Sequence, residues 1–360
     1  MEILLLFVAG LAALVAGSEL LVRGASRLAT SLGVSPLVVG LTVVAFGTSS
    51  PEFAVSVQGA LSGSTDLAVG NVVGSNIFNV LFILGLCAAI VPLAVAIQVI
   101  RQEVPVLICA AVLLALMTLD RELGRVQSGI LFALLLAYTA FLVVQSRRER
   151  RGDGIGDAAA PPAGGRAWDD PTWVQVALVL AGLGLLVFGS EWLVSAAVSF
   201  ARLLGLSELV IGLTIVSAGT SAPEVAASLM ALRKGERDMA VGNVVGSSVF
   251  NILGVLGLAG LVSPRPIVLP ASVVAFDLPA MLVVSFACLP VFFSNRRIGR
   301  WEGAMFLAYY AAYVTWLILD ARGHDALDDY RAVLLFVALP LTAVTIAVVT
   351  WRGGRRSAEA

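Results

Sequence analysis

Residues 40–85 read GLTVVAFGTSSPEFAVSVQGALSGSTDLAVGNVVGSNIFNVLFILG, and residues 212–257 read GLTIVSAGTSAPEVAASLMALRKGERDMAVGNVVGSSVFNILGVLG. The second stretch is a near copy of the first at a constant offset of 172 residues. Each copy places one carboxylate, Glu52 or Glu224, in an apolar run directly after a Thr-Ser-Xaa-Pro sequence. A carboxylate surrounded by hydrocarbon is costly, so by default it marks a functional site. We therefore interpret the rest of the chain as the scaffold that holds the two copies face to face.

The composition indicates a membrane protein. Of the 360 residues, 59% are hydrophobic and 13% are charged, whereas soluble domains carry about 25% charged residues. Apolar runs of spanning length recur from end to end, which predicts a polytopic, all-α membrane protein. The three cysteines lie in apolar segments at unrelated spacings, so they are interpreted as core residues, and the single histidine, His324, lies in a polar loop.

A length of about 20 residues per span predicts ten helices in two sets of five. The predicted spans are 3–22, 36–61, 66–91, 93–119 and 126–146, then 173–200, 208–232, 238–262, 268–293 and 300–320. The first repeat thus covers residues 1–146 and the second covers residues 173–320, joined by a polar cytoplasmic linker, 147–172. One more apolar run, Ala332–Thr350, predicts an eleventh helix within the C-terminal segment 321–360.

Five spans per repeat is an odd number, so the second repeat must enter the membrane in the opposite orientation. Placing the arginine-rich linker in the cytoplasm leaves an excess of basic residues inside, as the positive-inside rule requires. This predicts a multi-pass membrane protein with its N-terminus outside and its C-terminus in the cytoplasm. Residues 3–22 lack the basic start of a signal peptide and contain Gly17-Ser18-Glu19, which recurs at 189–191, so we expect them to be retained.

The break before each glutamate supplies oxygen atoms. Pro51 and Pro223 each remove a backbone donor and are expected to kink or break their helices. Carbonyls near Ala45 and Phe46, and that of Ser217 in the second copy, are then expected to lose helical partners, and they must be satisfied by protein, water or an ion. The side chains that accompany these carbonyls are Thr48, Ser49, Thr220 and Ser221.

The second half of each copy adds a hydroxyl and an amide one helical turn apart, Ser75 with Asn79 and Ser247 with Asn251. The pooled donors of both copies are all oxygen, without paired Cys or His. Such a set suits hard cations such as Ca²⁺ or Na⁺, and two glutamates neutralise one divalent ion.

Structural interpretations compete with this one. A single Ser or Thr in a membrane helix usually bonds its own backbone, and small residues usually serve packing. Glu19 and Glu191 are assigned a structural or gating role, and Glu103 and Asp277 are interpreted as interfacial charges near span ends. An intramembrane protease lacks a base near Ser49 or Ser221, since the predicted core has no histidine or lysine. A channel remains an alternative, although a closed oxygen cage favours stepwise exchange.

GTSSPE with GNVVGSNIFN, and GTSAPE with GNVVGSSVFN, resemble the α-repeats of the sodium/calcium exchanger family, most closely its bacterial and archaeal members. The resemblance implies an antiporter that exchanges Ca²⁺ for Na⁺ by alternating access, with no cofactor, no enzymatic activity, and neither nucleic acid nor an obligate protein as partner. It makes Glu52 and Glu224 the central calcium ligands, beside carbonyls of Thr48 and Thr220. It places Ser49, Ser75, Ser221, Ser247 and the carbonyls of Ala45 and Ser217 near sodium sites, with Asn79 completing the centre.

The chain departs from the family pattern at Asn251, where many relatives carry an aspartate. One negative charge is therefore absent from the predicted site. This leaves a cation/proton antiporter on the same fold as the alternative. Relatives with ten spans also lack the segment Ala332–Thr350.

Overall fold

The computed structural model describes residues 2–32, 34–152, 169, 171–203, 217–293, 296–321, 327 and 330. The predicted eleventh helix, most of the predicted linker and the start of the predicted seventh span, 208–216, lie outside these residues. Helices make up nearly all of the described chain, as predicted.

The first half contains six helices, which are α1 (Glu2–Leu32), α2 (Pro36–Thr48), α3 (Ser50–Ser62), α4 (Thr65–Ile90), α5 (Val99–Met117) and α6 (Arg125–Gly152). The second half contains α7 (Thr172–Leu203), α8 (Ser217–Thr220), α9 (Ala222–Arg233), α10 (Arg237–Val262), α11 (Val273–Phe293) and α12 (Arg300–Ala321). Within the described chain, 8 helices are long and apolar enough to span a membrane, or 9 when α2 and α3 count as one bent span. The polytopic helical prediction is confirmed, while the five-plus-five-plus-one arrangement stays a prediction.

The predicted proline breaks are present in both copies. The axes of α2 and α3 differ by 46°, and Ser49 between them has φ −78° and ψ 8°. Ser221, between α8 and α9, has nearly the same conformation, with φ −88° and ψ 9°. The downstream ends also match, because Gly63 and Gly235 terminate α3 and α9 with φ of 84° and 83°, a left-handed conformation that favours glycine.

Five segments of the described helices have π-helical hydrogen bonding, which regular-helix reasoning did not predict. They are Gly40–Val44, Phe78–Leu84, Val99–Glu103, Phe250–Leu256 and Val273–Asp277. The segments in α4 and α10 occupy equivalent positions of the two copies, and those that open α5 and α11 also correspond. A π-turn carries an extra residue, is rare, and is frequent at functional sites.

Glu103 is not an interfacial charge as the sequence suggested, because it is 0% exposed. Its carboxylate accepts hydrogen bonds from Gln98 Nε2 and Gln102 Nε2, each at 3.0 Å, and from the Tyr138 hydroxyl at 2.5 Å. Asp277, at the end of the corresponding π-segment, accepts a hydrogen bond of 2.9 Å from Tyr313. Each carboxylate therefore joins two helices of its own half.

Helices α1 and α7 pack antiparallel along a seam of glycines. A Cβ atom on Gly10 would lie 2.8 Å from the Gly189 carbonyl oxygen, and one on Gly17 would lie 2.8 Å from that of Gly182. Gly10 matches Gly182, and Gly17 matches Gly189, at the repeat offset of 172. The contact is therefore two-fold symmetric, and glycine lets the two backbones approach this closely.

Two short strand pairs and one ion pair tie distant segments together. β1 (Leu93–Ala94) pairs with β4 (Arg297–Ile298), and β2 (Glu122–Leu123) pairs with β3 (Ile267–Val268), both antiparallel and both between halves. Asp169, just before α7, accepts a hydrogen bond of 2.7 Å from Arg23 Nε of α1. This bond holds the pKa of Asp169 below its usual value, so the pair is ionised at neutral pH.

Candidate ion-binding site

Glu52 and Glu224 lie in the first turns of α3 and α9, directly after the two helix breaks, and each is 0% exposed. The breaks turn the start of each helix into the core. The N-terminal end of a helix carries partial positive charge, which favours a carboxylate at this position. Both glutamates are therefore held inside the protein, as the sequence predicted.

The two copies exchange hydrogen bonds at their serines. Ser49 Oγ donates to Glu224 Oε1 at 3.0 Å, and Ser221 Oγ donates to Glu52 Oε1 at 2.9 Å. Each predicted serine thus binds the glutamate of the other repeat. These residues are far apart in sequence, so the contacts bring both copies into one shared site.

The other predicted hydroxyls lie beside this pair. Ser221 Oγ is 3.1 Å from Ser75 Oγ. Across the site, Thr48 Oγ1 is 3.4 Å from Ser247 Oγ, which donates to the Ala45 carbonyl at 3.4 Å. The cluster of hydroxyls predicted from the two copies is therefore present.

The expected loss of helical partners at Ala45 is wrong. The Ala45 carbonyl accepts a hydrogen bond of 3.1 Å from the Ser49 backbone N–H, because the break begins only after this turn. Its second lone pair faces Ser247. Ser50 Oγ donates to the Phe46 carbonyl at 3.4 Å. Ser217 begins α8, and its side chain lies outside the described part of the chain.

Sequence reasoning missed a pair of asparagines that brace the glutamates. Asn71 Nδ2 donates to Ser56 Oγ at 3.0 Å and to the Glu52 carbonyl at 3.3 Å, while Asn71 Oδ1 accepts from Thr220 at 3.3 Å. At the repeat offset, Asn243 Nδ2 donates to Ser228 Oγ at 3.0 Å and to the Glu224 carbonyl at 3.4 Å. Asn243 Oδ1 accepts from Thr48 Oγ1 at 3.1 Å. The two asparagines are 172 residues apart, like the predicted site residues, and this spacing could have identified them from the sequence. Each asparagine therefore binds the glutamate carbonyl of its own copy and the threonine hydroxyl of the other copy.

Six buried side-chain atoms of the predicted ligands have no hydrogen-bond partner among the described residues. They are Glu52 Oε2, Glu224 Oε2 and both amide atoms of Asn79 and of Asn251. Asn79 and Asn251 are each 0% exposed and lie in the equivalent π-segments of α4 and α10. An unsatisfied buried polar group costs about 1–3 kcal/mol. The four oxygens in this set therefore have lone pairs available to bind a ligand from outside the protein.

The chemistry of the donors selects the ligand. The described residues contain no group of three His, Cys, Asp or Glu side chains that could hold a metal. The site instead combines two carboxylates with neutral amide, hydroxyl and carbonyl oxygens. Oxygen shells of this composition bind hard cations, and thiolate or imidazole would be needed for soft ones.

The symmetry of the serine bonds gives a prediction. Ser49→Ala and Ser221→Ala each remove one hydrogen bond to a carboxylate, worth about 1.5–3 kcal/mol. We expect each substitution to weaken the apparent affinity for a hard cation such as Ca²⁺ by about tenfold or more. Isothermal titration of the purified variants measures this. The control is Ser62→Ala, at the end of α3, where the hydroxyl donates to the Gly59 carbonyl. Wild-type affinity in both site variants contradicts the assigned role.

The comparisons with known proteins cover nearly the whole chain. The sequence is 32% identical over 346 residues to the sodium/calcium exchanger MaX1 of Methanosarcina acetivorans, covering 86% of this chain and 97% of that protein. It is 36% identical over 323 residues to the inner membrane protein YrbG of Escherichia coli, covering 87% and 95%. A solved structure of the sodium-calcium exchanger NCX_Mj superposes with a TM-score of 0.74 at 29% identity, covering 87% of this chain and 98% of that one.

A family model described as sodium/calcium exchanger protein matches the chain in two blocks, residues 2–144 and 174–319. Residues 145–173 separate the two blocks. The members of this family are transporters and not enzymes, and the ions they move are substrates rather than cofactors. The matched blocks cover far more than half of the sequence, and the chain belongs to the sodium/calcium exchanger family.

Proposed function

We propose that this protein is a secondary antiporter that exchanges Ca²⁺ for Na⁺ across the membrane. The observation that carries the proposal is the crossed pair of bonds, Ser49 to Glu224 and Ser221 to Glu52, around unsatisfied carboxylate and amide oxygens. The ligands we propose are Glu52, Glu224, Asn79, Asn251, the hydroxyls of Ser49, Ser75, Ser221 and Ser247, and oxygens of Thr48, Thr220, Ala45 and Ser217.

Competition at one site produces the coupling. Two ionised glutamates balance the charge of one Ca²⁺, so Ca²⁺ and a full load of monovalent ions do not share the centre. A carrier that reorients with either species bound, and whose site holds only one species at a time, exchanges the two species. The fully buried position of both carboxylates keeps the ion out of contact with lipid.

The moving part we propose is the pair α1 and α7. Their glycine seam holds the two helices backbone to backbone, so they move as one unit. The strand pairs β1–β4 and β2–β3 join the two halves at other places and favour a fixed core. Sliding of the helix pair against α3 and α9 opens the site to either side in turn.

The proposed arrangement in the membrane follows the charge distribution. We place residues 1–146 and 173–320 as two oppositely oriented repeats, with segment 147–172 and the C-terminal segment 321–360 ending in the cytoplasm. The N-terminus is placed outside, and the membrane is the inner membrane of a prokaryote. The excess of arginine and lysine in the loops assigned to the cytoplasm supports this orientation.

A cation/proton antiporter is the second candidate, and Asn251 is the observation that favours it. An amide at this position leaves only two carboxylates facing the unsatisfied centre. Two carboxylates can also carry two protons against one Ca²⁺.

An imposed gradient separates the two candidates. We expect ⁴⁵Ca²⁺ to enter proteoliposomes loaded with Na⁺ and diluted into choline, with equal pH on both sides. A pH gradient imposed without Na⁺ is expected to give no more uptake than liposomes without protein. A proton ionophore added only to the Na⁺-loaded proteoliposomes removes secondary pH gradients there, and the pH-gradient experiment is run without it. Uptake driven by the pH gradient and insensitive to Na⁺ contradicts the sodium proposal and selects the proton antiporter.

A further inference from the structure

An apolar groove opens between α1 and α9, on the face of α9 that points away from the ion site. Its walls include Leu11 and Val15 of α1 and Ala222, Ala226 and Leu229 of α9, with Phe78 of α4 also lining it. Its volume is about 570 Å³. Leu11 and Val15 are each 50% exposed. The groove lies beside α1 and α4, two of the helices that are long and apolar enough to span a membrane, so we place its open side towards the bilayer.

The groove exists because the two repeats differ at this place. In the first repeat, Phe46 and Phe53 pack edge to face at 5.9 Å, and Phe46 also lies 5.9 Å from Phe250. At the repeat offset, Phe46 and Phe53 correspond to Ala218 and Val225, which both line the groove. Two aromatic rings in one copy are thus replaced by small side chains in the other. The empty volume is a specific property of the second repeat.

The length of the groove matches the hydrocarbon thickness of one leaflet of the bilayer. It runs from Ala218 of α8, just before the break, along α9 to Arg233, the last residue of that helix. The 12 residues of α9 span about 18 Å at 1.5 Å per residue. Half of a hydrocarbon core that is roughly 30 Å thick is about 15 Å. An acyl chain of a single leaflet therefore fills the groove from surface to midplane.

A positive charge marks the surface end. Arg233 lines the groove and is exposed, and its guanidinium has no partner among the described side chains. The neighbouring Lys234 is already paired, with Nζ at 2.7 Å from Glu19 Oε1. The residue of the first repeat that corresponds to Arg233 is Leu61. An apolar groove that ends at an exposed guanidinium complements an acyl chain that ends in a phosphate.

We propose that the α1–α9 groove is a binding site for one membrane phospholipid, with an acyl chain along α9 and the phosphate on Arg233. The lipid contacts Ala226 and Val225 on one face of α9, while Glu224 on the other face belongs to the ion site. The proposal requires insertion in a bilayer and is independent of which ions are exchanged.

Native mass spectrometry of the delipidated full-length protein tests the site. We expect one molecule of dioleoyl phosphatidylglycerol to bind more tightly than dioleoylglycerol, which lacks the phosphate. Ala226→Phe fills the groove and is expected to weaken phosphatidylglycerol binding at least about tenfold. Arg233→Gln is expected to weaken it about tenfold and to leave dioleoylglycerol binding unchanged.

Matched controls come from the repeat. Ala54 is the equivalent of Ala226 in the first copy, is exposed and does not line the groove, so Ala54→Phe should bind lipid like the wild type. Arg237→Gln removes an exposed charge outside the groove and should also have no effect. Thermal unfolding confirms that each variant is folded. Wild-type affinity of folded Ala226→Phe, or an equal loss in Arg237→Gln and Arg233→Gln, overturns the proposal.

Discussion

Glu52→Gln is expected to reduce calcium exchange at least about 100-fold, and Glu224→Gln is expected to do the same. Breaking a buried charge pair by removing one partner costs about 3–5 kcal/mol, which corresponds to a factor of about 100 or more. Here the pair is completed by the transported ion, and the glutamine leaves a divalent cation against a single carboxylate. Gradient-driven ⁴⁵Ca²⁺ uptake into proteoliposomes measures the loss.

A second measurement separates loss of the site from loss of the fold. A bound ion stabilises the folded state in proportion to its occupancy, so Ca²⁺ should raise the unfolding temperature of the wild type and not of either variant. Glu122→Gln is the control, because Glu122 is exposed in β2 and its strand pairs through backbone bonds. Exchange near the wild-type rate in Glu52→Gln or Glu224→Gln would remove the basis of the proposed site.

Gly182→Ala is expected to lower the stability of the protein, whereas Gly184→Ala is expected to leave it unchanged or raise it. A Cβ on Gly182 would lie 2.5 Å from the Leu21 backbone nitrogen and 2.7 Å from the Gly17 carbonyl oxygen. Backbone atoms cannot rotate away, so α1 and α7 must separate, at a cost of about 1–3 kcal/mol or more. Gly184, two residues along the same helix, has no described atom within 4 Å of its Cβ position. There alanine should gain up to about 1 kcal/mol of helix propensity.

Thermal unfolding of both variants in the same detergent checks this pair. We expect a lower unfolding temperature for Gly182→Ala and an unchanged or higher one for Gly184→Ala. The same ranking should appear in exchange rates, because the seam is part of the proposed moving unit. Equal unfolding temperatures for the two variants would show that the helices tolerate separation and that the seam is not tight.

The sequence predicted that both copies contribute polar residues to one site, for a physical reason, although it did not predict which serine pairs with which glutamate. Glu52 and Glu224 are costly in an apolar run, and the duplication repeats the hydroxyls around them while the apolar residues vary. The cost and the repetition are both readable without coordinates. The bracing by Asn71 and Asn243 was equally repeated, but an asparagine next to glycine has a packing interpretation that conceals its role.

Other features depend on packing that a one-dimensional pattern does not carry. The burial of Glu103 arises from Tyr138 on α6 and the π-turn that opens α5. The strands β1 to β4 have two residues each and form only because the halves meet. Helix α1 has 31 residues, beyond the predicted span 3–22, because hydropathy detects the apolar stretch and the helix continues past Arg23 and Arg27.

The crossed serine bonds also bear on the origin of the fold. Neither copy completes a cation cage by itself, since the hydroxyl of each reaches the acid of the other. If the two repeats lie in opposite orientations as proposed, an ancestral product with one copy could carry ions only by inserting both ways up and pairing with an upside-down twin. In that arrangement, gene fusion fixes one of each orientation in a single polypeptide. It also frees either copy to diverge. The aromatic rings of the first copy, for example, correspond to small side chains in the second.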